Sequence, residues 1–172
     1  ERLDLNVCKV RKFERKLDMQ HSLLSRTFIA TFPSGKEIEV NVERFVSRVD
    51  DELGCIRYSV KALNFNDTIT CTTSINANVK NKDANYDEVF WDSIEEIIKG
   101  EKAFLGVRTK KLGFEVYQGF TSSYKKNGEV FKLVPTATKK EKFISFSVAT
   151  ALSENETFEV QKYVSVVSSM YY

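Results

Sequence analysis

The residues best equipped for chemistry gather between Asn78 and Trp91, in the run Asn-Val-Lys-Asn-Lys-Asp-Ala-Asn-Tyr-Asp-Glu-Val-Phe-Trp. Asp87, Glu88 and Asp92 flank the only tryptophan, Trp91. Carboxylates and amides bind sugar hydroxyls, and an indole face stacks on the apolar face of a pyranose. Asn85, Tyr86, Asp87, Phe90 and Trp91 are therefore the candidate contacts, either to a sugar or to a neighbouring domain. Two carboxyls could also serve a glycosidase. That chemistry needs one carboxyl raised in pKa by burial, and this stretch is highly polar. A structural or contact loop is the favoured reading, and no residue is assigned a catalytic role.

Other chemistry finds little to work with. There is no Gly-rich phosphate loop, HExxH or GxSxG motif. Cys8, Cys55 and Cys71 are odd in number and none lies in a C-x-x-C pair, which argues against a disulfide scaffold or a cysteine zinc site. They read as free, half-buried thiols in a reducing compartment, so a cytoplasmic location is expected. A cysteine nucleophile would want a histidine, and His21 stands in the polar run Asp18-Met19-Gln20-His21-Ser22. It reads as a surface residue. No metal or organic cofactor is implied.

Charge and hydropathy narrow the partners. The 26 basic and 24 acidic residues leave a net charge of +2. That gives no strong field for steering nucleic acid or an anionic membrane. The clusters Lys139-Lys140-Glu141-Lys142 and Arg108-Thr109-Lys110-Lys111 read as solvated turns and strand ends. No apolar run approaches the roughly 20 residues of a membrane span, and no secretory signal is visible. The sequence opens at Glu1 without a methionine, so an upstream leader is left open.

The elements that must position these groups follow a period of two. Thirteen Phe and seven Tyr against two Met favour strands. Leu24 to Phe32 and Glu37 to Glu43 alternate apolar and polar residues across Pro33-Ser34-Gly35, which spells a hairpin. Ile56 to Ala62, Thr68 to Ile75, Ala103 to Thr109, Phe114 to Tyr124, Glu129 to Thr136, Lys142 to Leu152 and Thr157 to Val167 read as further strands. Asn127-Gly128 signals a type I′ turn. Ile94 to Ile98 is ambiguous. Ser93 with Glu96 fits a capping box that would start a helix, but pairing with Ala103 to Arg108 is preferred. Many short antiparallel strands in 172 residues make one β-sandwich domain.

An ordered set of segments resembles the N-terminal domain of glycoside hydrolase family 65, which includes maltose, trehalose and kojibiose phosphorylases. The segments are Leu3-Asp4-Leu5-Asn6, Phe13-Glu14-Arg15-Lys16-Leu17-Asp18-Met19, Leu23 to Phe28 and Glu43-Arg44-Phe45-Val46-Ser47. Asn76, Asn78, Val79, Asn81 to Tyr86 and Trp91 follow. Thr109 to Val116 and Lys162 to Ser169 complete the set. Each is weakly specific alone, and together they span nearly the whole chain. The resemblance implies an all-β, large antiparallel β-sandwich of the galactose-mutarotase-like super-sandwich kind, set ahead of an (α/α)6 barrel. In that family the barrel holds the general acid and the phosphate site, while the sandwich supports the barrel and helps form a dimer. The implied partners are the enzyme's own catalytic barrel, a second subunit and a disaccharide substrate such as maltose. Inorganic phosphate is the implied co-substrate if the parent is a phosphorylase rather than a hydrolase. The chain ends at Met170-Tyr171-Tyr172, before any linker or barrel, so by itself it is expected to be non-catalytic.

Two features depart from the family. An Asn-Gly-Tyr-type stretch upstream of Leu3 is missing, which implies a sandwich truncated at its N-terminal edge. Ser169-Met170-Tyr171 stands where Ser-Arg-Asp is usual. Two other readings stay open. One is a free-standing carbohydrate-binding module with Tyr86, Phe90 and Trp91 as its platform. The other is an aldose mutarotase type of enzyme, which is weakened by the single histidine.

Overall fold

The computed structural model describes residues 1–80 and 89–171. Among them are twelve strands and no helix: β1 (Lys9–Asp18), β2 (Leu23–Thr31), β3 (Glu37–Val46), β4 (Leu53–Ala62), β5 (Asp67–Asn76), β6 (Trp91–Lys99), β7 (Lys102–Thr109), β8 (Glu115–Lys126), β9 (Glu129–Val130), β10 (Thr136–Lys140), β11 (Phe143–Leu152) and β12 (Thr157–Ser168). The pairs β1–β2, β2–β3, β3–β4, β6–β7, β7–β8, β8–β9 and β10–β11 are all antiparallel. The all-β antiparallel architecture expected from the alternation is what the chain adopts.

The strands form two compact units. One comprises Glu1–Thr70, Ser123–Leu133 and Ala149–Lys162, the other Cys71–Ser122, Val134–Val148 and Tyr163–Tyr172. Strands β5, β8, β11 and β12 contribute to both.

In the first unit β1, β2, β3 and β4 form a meander, followed by β12 and β8, with β9 pairing β8. The register puts Val10, Ala30, Ile38 and Ala62 on one face, with Phe28, Val40 and Val60 beside them. Phe28, Ala30, Ile38, Val40 and Val42 are buried there with Cys8, and Leu3, Phe32, Tyr58 and Phe65 pack against them. Gly35 turns between β2 and β3 at φ +84°, where a side chain would be strained.

In the second unit the order runs β12-β8-β7-β6, and β10-β11-β5 forms a separate sheet. Ala103, Leu105, Val107 and Phe120 from the larger sheet are buried with Ile75, Ile144 and Phe146 from the smaller one. Phe120 and Phe146 meet with ring centroids 5.5 Å apart. These two layers make the sandwich core of this unit.

Most strands match the expected spans within a few residues, and Ile94 to Ile98 is a strand, within β6. Asn127 (φ 51°) and Gly128 (φ 86°) both take the positive φ that a type I′ turn requires. Three elements differ from expectation. β1 was not anticipated, because a bulge between Arg11 and Glu14 changes the parity of its inward positions. Val10 and Arg15 thus lie on the same face, opposite Ala30 and Arg26. The strand expected over Glu129 to Thr136 is cut short: Glu129–Val130 pair β8, Thr136 already belongs to β10, and Pro135, without an N–H, cannot extend a ladder between them. β10 pairs β11 although its five residues are all exposed, so no apolar face announces it.

Candidate functional site

Asn85, Tyr86, Asp87 and Glu88, on which the sequence reading centred, lie outside the described residues. Phe90 and Trp91 are described, and both are half-buried. Trp91 opens β6 opposite Thr109. Its indole meets Phe114 edge to face, with centroids 5.9 Å apart at 88°, and packs against the buried cluster around Leu105 and Phe146. Such a ring gains most of its stabilisation from burial plus the edge-to-face geometry. The Lys142 ammonium donates to the Trp91 carbonyl at 2.9 Å, and the Lys110 N–H donates to the Phe90 carbonyl at 3.0 Å. The backbone on either side of the ring is thereby fixed.

The neighbouring carboxylates are held in structural roles. Glu96 accepts from the Ser93 hydroxyl and, at 2.7 Å, from the Lys142 N–H. Ser93 and Glu96 lie at the bulge between Ser93 and Glu95. The pair that spells a capping box therefore stabilises an irregular strand instead. Asp92 is exposed and lies 3.8 Å from the Lys110 ammonium, a separation at which an exposed pair contributes little.

Elsewhere, hydrogen bonds set the direction of the carboxyl shifts. The Ser34 hydroxyl lowers the pKa of Glu1, His21 that of Asp18, the Thr31 hydroxyl that of Glu37 and the Lys36 ammonium that of Asp67. The Arg108 guanidinium does the same for Glu115. The Lys126 ammonium holds Glu156 at about 2. Each shift runs opposite to what a general acid needs.

Cysteine and histidine offer no nucleophile pair. Burial pushes the Cys71 thiol up to about 11 and raises Cys55 as well, so neither is a ready thiolate at neutral pH. His21 is exposed in the turn after β1, with Nδ1 3.0 Å from Asp18 Oδ2. Among the described residues no group of three His, Cys, Asp or Glu side chains is arranged to hold a metal ion. Among them, too, no helix is long and apolar enough to cross a membrane.

A second constellation escaped the sequence reading. Arg15 of β1, Arg26 of β2 and Arg44 of β3 line one shallow depression with Leu24, Val42 and Ile56. Arg15 pairs directly with Arg26 across the ladder, and Arg44 pairs with Leu24 and Ile56. The guanidinium of Arg26 lies 5.5 Å from the Phe28 ring centroid and that of Arg15 lies 5.8 Å from that of Phe13. The available signal was the break in pattern. Leu24-Arg26-Phe28-Ala30 and Val40-Val42-Arg44-Val46 place arginine where the alternation wants an apolar residue.

Residues 1–171 match the family described as "Glycosyl hydrolase family 65, N-terminal domain". The chain is similar to maltose phosphorylase of Bacillus subtilis (strain 168), with 32% identity over 106 residues, covering 62% of this chain and 14% of that protein. It is also similar to alpha,alpha-trehalose phosphorylase of Thermoanaerobacter brockii, with 28% identity over 122 residues, covering 66% of this chain and 16% of that protein. Its fold matches a solved structure described as "Putative kojibiose phosphorylase from human microbiome". The TM-score is 0.85 at 20% identity, covering 98% of this chain and 21% of that one. The chain thus spans about a sixth of the curated relatives it matches and about a fifth of that structure.

Proposed function

Because the chain belongs to the glycosyl hydrolase family 65 N-terminal domain family, we propose that it serves as one non-catalytic β-domain of a larger enzyme acting on α-linked disaccharides such as maltose. On this reading it supports a catalytic barrel and contributes to a homodimer, and the chemistry resides in the barrel. There a carboxylic acid would protonate the glycosidic oxygen while phosphate attacks the opposite face of the sugar, taking the place of an inverting hydrolase's activated water. The cytoplasm is the matching location.

The single observation that carries this reading is the family match over residues 1–171. The chemistry of the chain is consistent with it. The resolved carboxyl shifts run downward, and Glu96 is committed to hydrogen bonds inside the strand framework. Trp91 is anchored to the core through its ring and its carbonyl. The run that ends there, with Asn85, Tyr86, Asp87, Phe90 and Trp91, is the proposed contact set toward the barrel or a sugar.

A chimera tests the scaffold role. This chain replaces the corresponding N-terminal segment of the Bacillus subtilis maltose phosphorylase, and soluble yield, mass and phosphate-dependent maltose cleavage are measured. The expected result is a soluble, active chimera and an insoluble or inactive enzyme when the segment is deleted. Full activity after deletion would contradict the role.

A further inference from the structure

We infer that Arg15, Arg26 and Arg44 form an oxyanion-binding site that takes a phosphate group, either as free phosphate or as a sugar phosphomonoester. This inference stands apart from the scaffold reading and needs no catalytic domain.

The two faces of the β1–β4 sheet divide charge unequally. Register places Lys9, Arg11, Glu14, Lys16, Glu37, Glu39, Glu43 and Arg57 on one face. There arginines meet carboxylates: Arg11 with Glu37 at 2.8 Å and Arg57 with Glu43 at 2.6 Å. The other face carries Val10, Arg15, Leu17, Leu24, Arg26, Phe28, Ala30, Ile38, Val40, Val42, Arg44, Val46, Ile56, Tyr58, Val60 and Ala62 in the paired register. No carboxylate is among them. Three guanidiniums therefore share one depression of about 50 Å³, and among the described residues no carboxylate lies beside them on this face.

That arrangement costs stability. Like charges directly opposite in a ladder repel, and Arg15 faces Arg26 directly. A local rule broken without structural compensation marks a functional position. Guanidinium forks match the oxygens of a phosphate group and bind them bidentately. The apolar floor of Leu24, Val42 and Ile56 lowers the local polarity and strengthens each charge-assisted bond. Phe13 and Phe28 sit beneath the Arg15 and Arg26 guanidiniums, which limits their freedom and reduces the ordering cost of binding.

The test follows the arginine Nε–Hε signals of the 172-residue chain by NMR. Inorganic phosphate, glucose 1-phosphate and a polyglutamate peptide are each titrated against sodium chloride at matched ionic strength. The expected result is saturable movement of the Arg15, Arg26 and Arg44 signals with phosphate, glucose 1-phosphate or both. The tighter of the two identifies the source. Arg26→Gln and Arg44→Gln each weaken binding at least tenfold, while Arg57→Gln on the paired face leaves it unchanged. A dispersed amide spectrum shows that each variant is folded, and the two arginine variants back each other. Movement no larger than chloride produces would overturn the proposal. So would a response to polyglutamate alone, which would make the patch a docking surface for an acidic protein segment.

Discussion

Two ends of one sheet face behave differently. Along β2 and β3 the same alternation runs from Ala30 and Ile38 to Leu24 and Arg44. At one end Phe28, Ala30, Ile38 and Val40 are all at most 5% exposed. At the other, Phe13, Leu17 and Val46 are 48%, 63% and 65% exposed, and three arginines sit among them. Alternation fixes which way a side chain points. Whether anything covers it depends on distant parts of the chain, and among the described residues these cover only one end.

The covered end also closes its polar groups. The Asn155 N–H donates to the Ala62 carbonyl, and the Ala62 N–H donates to the Glu156 carbonyl. The Glu156 carboxylate accepts from Lys126, from the Ser153 N–H and from the Asn127 amide. At the uncovered end, the paired register puts no carboxylate of the described residues on the face that carries the guanidiniums. One end is a satisfied core, and the other retains repulsion that a ligand can relieve.

The largest effect should come from truncating the covered end. Phe28→Ala should destabilise the chain by about 3–5 kcal/mol, read as a fall in the urea midpoint, because Phe28 is 1% exposed. An effect as small as that of an exposed residue would erase the distinction between the ends.

Acid should act on the covered end next. Glu156 is held at about 2 against an ordinary 4.5, chiefly by the Lys126 ammonium. A depressed carboxyl contributes stability above its unfolded pKa, and loses it as pH falls toward the folded value. The Glu156 contribution is therefore complete above about 4.5 and fades between there and about 2. Urea melts across that window should show a shallower pH dependence in Glu156→Gln than in the parent chain. Equal slopes would show that the carboxylate is not engaged in the folded state.

Smaller effects of opposite sign belong to the uncovered end. Arg26→Gln should raise stability by about 0.2–1 kcal/mol, since it removes the repulsion from Arg15. Val46→Ala should stay within about 0.5 kcal/mol of the parent. A marked loss in either variant would mean that this end is covered after all.

The same contrast explains what the sequence made legible. β2, β3, β4 and β11 follow a period of two over most of their length, so their spans could be read directly. β1 could not, because its bulge moves the inward positions from Val10 to Arg15 and changes their parity. β10 has no buried face to betray it. The family resemblance was legible because it rests on ordered segments rather than on periodicity, and the match over residues 1–171 agrees with it. Trp91 was legible as important, but one aromatic in a polar run looks alike as a contact or a core anchor. Only its packing with Phe114 and the core cluster shows how it is seated. The arginine trio was missed because three consecutive strands must pair to assemble it, and Arg15 comes to face Arg26 only through the β1 bulge.

On the proposed reading this chain is a strand scaffold and the chemistry lies elsewhere. The most direct measurement incubates the purified chain with maltose, trehalose or kojibiose, with and without inorganic phosphate, and follows glucose and glucose 1-phosphate. The account predicts neither product above the uncatalysed background. Turnover comparable to an intact family 65 enzyme, abolished by replacing a carboxylate of this chain, would contradict it.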